Sequence, residues 1–155
     1  MPQHVSADEV DDFETATRDL VGLALRSVDH VDMSLPQFRL LLTLHEIGPA
    51  SSTDCARALG VVGSSITRLA DRLHTSGHLV RGSDPSHRSI VRLELTDTGR
   101  KVVRQVNDRR RTELAAALSH LTPEARADCA QALRDLHSVL SEEGKNDDLR
   151  RHLPL

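Results

Sequence analysis

The stretch STDCARALGVVGSSITRLADRLHTSGHLVRG, residues 52–82, decides how the chain is read. After Ser51 and Ser52 a short helix runs through Asp54 to Leu59 and Gly60, with Cys55, Ala56 and Leu59 on its apolar side. Gly60-Val61-Val62-Gly63 is a tight turn. From Gly63 to Ser76, Ile66, Leu69, Ala70 and Leu73 make the buried stripe of a second helix, and Gly77 is placed to end it. Two helices joined by so short a turn form a helix-turn-helix. The pattern then changes. His78-Leu79-Val80-Arg81 is compatible with a strand, and Gly82 to Ser89 is turn-like around Asp84-Pro85. Ser89 to Leu95 alternates, with Ile90, Val91, Leu93 and Leu95 among polar residues. Two short strands around a polar turn read as a hairpin, and a hairpin directly after a helix-turn-helix makes it winged.

The N-terminal side predicts two helices. The first runs from about Ala7 to Asp29, opened by a Ser6/Glu9 capping box, with Phe13, Ala16, Leu20, Leu23 and Ala24 at helical spacing. The second opens at Ser34-Leu35-Pro36-Gln37, carries Phe38, Leu41, Leu42 and Leu44, and stops at Gly48-Pro49. On the C-terminal side Thr96-Asp97-Thr98-Gly99 caps a long helix to about His120. Thr122-Pro123-Glu124 opens the last helix, and the tail from Gly144 is charged and expected to fray. The expected fold is mainly α with a small β-hairpin, a winged helix-turn-helix with N- and C-terminal dimerisation helices. Its divisions are residues 1–34 (N-terminal dimerisation helix), 35–99 (DNA-binding domain), 100–143 (C-terminal dimerisation helices) and 144–155 (charged tail). A partner copy is expected because Val102, Val103, Val106, Leu114 and Leu118, then Leu133, Leu136 and Leu140, form stripes too extensive for a small winged domain to cover.

Composition narrows the function. Phe13 and Phe38 are the only aromatic residues, so the core must be aliphatic. No apolar run reaches the roughly 18 residues that span a bilayer, and the acidic start, Met1 to Asp12, lacks the apolar segment of a signal peptide. The expectation is a cytoplasmic protein without a membrane partner. The net charge is −3, but it is unevenly spread: eight acids face two arginines from Met1 to Leu35. From Gly60 to Arg92, five arginines (Arg68, Arg72, Arg81, Arg88, Arg92) face Asp71 and Asp84. A locally basic middle in an acidic chain suits a DNA footprint on one face.

The second helix of such a pair enters the major groove. Because Ile66, Leu69, Ala70 and Leu73 fix its buried side, its outer face must show Ser64, Ser65, Thr67, Arg68, Asp71 and Arg72. Short hydroxyls near a helix start suit phosphates and base edges. Arg68 is long enough to grip a guanine with two hydrogen bonds or to contact a phosphate.

Six segments, in this order and spacing, resemble the MarR (multiple antibiotic resistance regulator) family over roughly Leu35 to Thr122. They are Leu35-Pro36-Gln37-Phe38, Thr53 to Gly60, Ser65 to Leu73, Gly77-His78-Leu79-Val80-Arg81, Asp84-Pro85-Ser86-His87-Arg88 and Leu95-Thr96-Asp97-Thr98-Gly99. The resemblance implies a homodimer in which the first, fifth and sixth helices of both chains interlock. It implies recognition helices in successive major grooves of a palindromic operator, with wings in the flanking minor grooves. It implies a transcriptional regulator, usually a repressor, whose affinity a small ligand or an oxidant changes. The ligand pocket of the family lies between the dimer helices and the winged domain, which makes His30, Met33, Phe38, Arg39, Leu42 and His45 candidate lining residues. Two positions depart from the pattern. His87 stands where an acid would orient the wing arginine, Arg88, and Val62 stands where a polar helix cap is expected.

Other chemistry is weakly supported. Cys55 and Cys129 lie among apolar neighbours and read as small buried hydrophobes, with a thiol redox switch as the alternative. His74 and His78 straddle a helix end rather than pairing on one face, so no metal is expected. No phosphate-binding glycine loop and no nucleophile in a catalytic setting is present, so neither an enzyme nor a cofactor is expected. The competing reading is a dimeric interaction module that has lost specific DNA binding.

Overall fold

The structure, a computed structural model, describes residues 4–145. Its elements are α1 (Ala7–Arg26), α2 (Leu35–Ile47), β1 (Ala50–Ser51), α3 (Ser52–Leu59), α4 (Gly63–Thr75), β2 (Leu79–Ser83), β3 (Val91–Leu95), α5 (Asp97–Leu118) and α6 (Pro123–Lys145). The arrangement is six helices with a small antiparallel sheet, the winged helix-turn-helix expected of the sequence.

Local chemistry sets the helix starts. Ser6 and Glu9 cap α1 reciprocally, and Ser34 and Gln37 do the same for α2, with proline in its first turn. Ser51 accepts the Asp54 N–H to start α3, and Thr96 accepts the Gly99 N–H to start α5. α1 ends at Arg26, three residues before the expected Asp29, because Ser27 turns inward: it is buried and its hydroxyl donates to the Ala24 carbonyl at 2.6 Å.

The core is one aliphatic cluster. Phe38, Leu40, Leu41, Leu42 and Leu44 of α2 meet Cys55, Ala56 and Leu59 of α3, Ile66, Ala70 and Leu73 of α4, Leu79, Leu93 and Leu95 of the sheet, and Val103 and Val106 of α5. Each large side chain fully buried here contributes roughly 1.5–3 kcal/mol. α2 is therefore the central post, buried nearly all round along Leu40 to Leu44.

Three sequence expectations change. The hairpin is a three-stranded sheet, in order β1-β3-β2, because Ala50 and Ser51 pair with Leu93 and Arg92. A strand of two residues leaves no alternation to read. Ile90 and Val91, expected to alternate with the core, are exposed, and the buried set begins at Leu93. Val103 and Val106 are buried in the winged core, so the first half of α5 belongs to that core rather than to an uncovered stripe.

By contrast α1 buries none of its residues, and Phe13 and Leu20 stand 57% and 47% exposed. Leu133, Leu136 and Leu140 of α6 are also exposed. Arg110 ties α5 to the end of α1, donating from Nη2 to the Ser27 hydroxyl at 3.3 Å. Among the described residues no helix is long and apolar enough to cross a membrane. The tail expected from Gly144 lies mostly outside the described residues; α6 itself continues through Gly144 to Lys145.

One close approach sets the geometry around the sheet. A Cβ at Gly99 would lie 2.1 Å from the His78 carbonyl oxygen, so only glycine lets α5 start against that turn. The same carbonyl accepts the Thr96 N–H at 3.1 Å, and the Thr96 hydroxyl donates to the Gly77 carbonyl at 2.6 Å. The end of α4, the start of β2 and the start of α5 are thereby stitched at one point.

Candidate nucleic-acid interface

α4 is mounted on the core through Ile66, Ala70 and Leu73, with Leu69 half-buried beside them. That seat turns the other side outward. Ser64, Thr67, Arg68, Asp71 and Arg72 are exposed and Ser65 is half-buried, the face expected from the stripe. Gly60, in the left-handed region at φ 64°, ends α3 and lets the chain turn into α4. Val62 is the residue that caps α4, and no side chain bonds its start. The Ser65 N–H donates to the Val62 carbonyl at 3.0 Å, and the first N–H groups have no side-chain acceptor, which suits an anionic partner. Thr67 donates its hydroxyl back to the Gly63 carbonyl at 3.2 Å, which leaves its methyl group and oxygen lone pairs for outside contact.

The wing stands beside this face. β2 and β3 pair from Leu79 opposite Leu95 to Ser83 opposite Val91, and residues 84–90 form the tip. Arg88 is exposed there. Asp84 organises the turn: its Oδ1 accepts the Ser86 and His87 N–H groups at 2.8 and 3.1 Å. The first of these bonds is the main reason its carboxyl is held below the usual carboxylate range.

Asp71 and Arg81 were counted separately in the sequence, one as an acid on the outer face and one as part of the basic stretch. They form an ion pair between α4 and β2. No spacing rule could have joined them, because the contact depends on how the hairpin returns to the helix. Similarly, His74 donates from Nδ1 to the Leu79 carbonyl at 3.2 Å, and His78 Nδ1 is hydrogen-bonded to the Ser76 hydroxyl at 2.7 Å. Both rings hold the junction between helix and sheet.

Residues 31–88 match the MarR family. YfiV of Bacillus subtilis (strain 168), an HTH-type transcriptional regulator, is 32% identical over 116 residues, covering 75% of this chain and 70% of YfiV. The chain belongs to the MarR family. The crystal structure of RV1404 from Mycobacterium tuberculosis is 35% identical, with a TM-score of 0.80, over 89% of this chain and 97% of that one. MdtR of Bacillus subtilis (strain 168), an HTH-type transcriptional repressor, is 26% identical over 123 residues, 79% of each chain. MarR-family proteins are DNA-binding transcriptional regulators, not a family of enzymes.

In this MarR-family chain the six candidate ligand residues differ in burial. Phe38 and Leu42 belong to the core, at 0% and 6% exposure. His30 and His45 are exposed, and Met33 and Arg39 are half-buried. His45 lines a small cleft of about 150 Å3 with Leu44, Gly48, Pro49, Glu94, Leu95 and Arg100. The cysteines divide. Cys55 is fully buried, and burial pushes its thiol up to about 11, so it stays protonated and unreactive at neutral pH. Cys129, expected to be buried, is exposed, because α6 stands away from the winged core.

Proposed function

We propose that this MarR-family regulator is a homodimeric repressor that binds a palindromic operator in the cytoplasm and is released by a small effector. Ser64, Ser65, Thr67, Arg68 and Arg72 meet the major groove, and Arg88 meets the flanking minor groove. The observation that carries this reading is the exposed hydroxyl-and-arginine face of α4, seated on the core by Ile66, Ala70 and Leu73 and flanked by the wing. The uncapped start of α4 adds amide donors for a phosphate. Repression is supported by the relative MdtR, which is named a repressor.

The dimer rests on apolar surface without a cover. Val10, Phe13, Leu20, Val21 and Leu25 of α1 and Leu133, Leu136, Val139 and Leu140 of α6 are all more than a third exposed in the single chain. Exposed apolar residues in such number on two helices support an interface there. Residues 1–34 and 100–143 form the dimerisation helices of this reading and residues 35–99 the reading head, with α5 shared between them. Light scattering at micromolar concentration is expected to give twice the chain mass; a stable monomer would remove the dimer. Of the effector candidates, His30, Met33, Arg39 and His45 remain accessible, while Phe38 and Leu42 serve the core.

Selection from random duplexes is expected to return a palindrome. Its affinity should fall steeply and linearly with salt on logarithmic axes, because each half contributes several arginine–phosphate contacts whose counterions are released. No duplex preferred over random DNA at moderate salt would leave the interaction-module reading in its place.

A further inference from the structure

In the sequence Arg92 is one more positive charge. In the structure its guanidinium bridges two parts of the wing's base. Nη2 donates to the Pro49 carbonyl at 2.6 Å, and Nη1 lies 3.4 Å from Asp84 Oδ2. Asp84 in turn holds the tip, through the Ser86 and His87 N–H groups on Oδ1. The backbone of the tip closes in the same place: the Asp84 N–H donates to the Ile90 carbonyl and the Ile90 N–H to the His87 carbonyl, both at 2.9 Å. Arg92 sits in the central strand, opposite Ser51 on one side and Gly82 on the other. A run of contacts therefore leads from the end of α2, through β3, to the turn that carries Arg88.

We propose that Arg92 is a positioning residue of the wing: by clamping Asp84 to the Pro49 carbonyl it fixes the turn that presents Arg88 to the minor groove. The clamp takes over the task of the acid that the family pattern puts where His87 stands. This inference rests on the DNA-binding reading above. Two observations favour positioning over other tasks. The side chains of Arg92 and Asp84 are 35% and 20% exposed, and ion pairs so placed contribute little to stability. Both terminal nitrogens of the guanidinium are engaged inside the protein, Nη2 at Pro49 and Nη1 at Asp84, so gripping DNA with them would break the clamp. What the clamp supplies is order in a turn that would otherwise lose freedom on binding.

The test uses the full chain and one selected palindromic duplex made with either A·T or G·C flanks. A narrow A·T minor groove concentrates negative potential around an inserted arginine, so wild type is expected to prefer the A·T version. Arg92→Ala, Arg92→Lys and Asp84→Asn are each expected to reduce that preference about fivefold, the scale of leaving one long side chain unordered. Arg88→Ala should reduce it equally, and Arg92→Ala should add nothing in the Arg88→Ala background. Thermal unfolding followed by circular dichroism checks that each variant is folded, and Asp84→Asn tests the clamp from its other end if Arg92→Ala is not. Independent, multiplying losses for Arg88→Ala and Arg92→Ala would mean that Arg92 touches DNA itself, and would overturn the proposal. So would an Arg92→Lys protein equal to wild type on both flanks, since charge alone would then suffice. Those results leave the DNA-binding reading intact; a wild type without preference for any duplex overturns both.

Discussion

Arg68→Ala is expected to weaken operator binding about tenfold to a hundredfold, the 1–3 kcal/mol attached to one arginine gripping a guanine edge. Arg68 lies one turn into α4, exposed, on the side opposite Ile66, Ala70 and Leu73. Asp71, three residues on, pairs with Arg81 rather than with Arg68. The Arg68 guanidinium is therefore presented without a carboxylate partner from its own helix turn. The substitution removes no buried contact, so thermal stability should change by less than about 0.5 kcal/mol. Competition among duplexes carrying each base in turn checks the assignment. If Arg68 reads a base, the loss is confined to duplexes with the preferred base at one position, and the variant treats all four alike there. A uniform loss across all sequences, with a shallower salt dependence, would make Arg68 a phosphate contact instead.

Phe38→Ala is expected to cost about 3–5 kcal/mol of stability, the range for deleting a fully buried ring. Phe38 is 0% exposed, on the helix that touches α3, α4 and α5, and nothing nearby is aromatic enough to refill its space. Domains of this size are stable by only about 5–15 kcal/mol, so about a fifth or more of the total would go. Denaturant unfolding of wild type and variant measures it. A loss under about 1 kcal/mol would mean that the ring lines a cavity able to collapse, and would return Phe38 to the ligand candidates.

These two residues mark how far the sequence could be read. Arg68 was legible because a helix has one period: once Ile66, Ala70 and Leu73 are assigned inward, the outer face follows. The caps at Ser6, Ser34 and Thr96 were legible for the same reason, each being settled within three residues. Phe38 was not, because the same helical stripe serves a core or a pocket wall, and only the packing of α3, α4 and α5 around α2 decides. Val103 and Val106 failed similarly: an apolar stripe on α5 does not say which neighbour covers it. The ion pair of Asp71 with Arg81 and the clamp of Arg92 on Asp84 and Pro49 depend on sheet register, which a tip of irregular backbone and a strand of two residues keep out of any periodicity.

The stitch at Gly99, Thr96 and His78 makes α5 a lever whose fulcrum is the end of α4. The helix has 22 residues, about 33 Å at the usual rise. Its base is pinned to the Gly77-His78 turn by two hydrogen bonds and a contact that admits no Cβ, so a tilt of α5 pulls on the turn that ends α4. A tilt of about 5° corresponds to a swing of about 3 Å over that length, close to the rise of one base pair. In the proposed dimer the distance between two reading heads is then a matter of helix inclination: small angular play far from the DNA would become a whole step of misregister upon it.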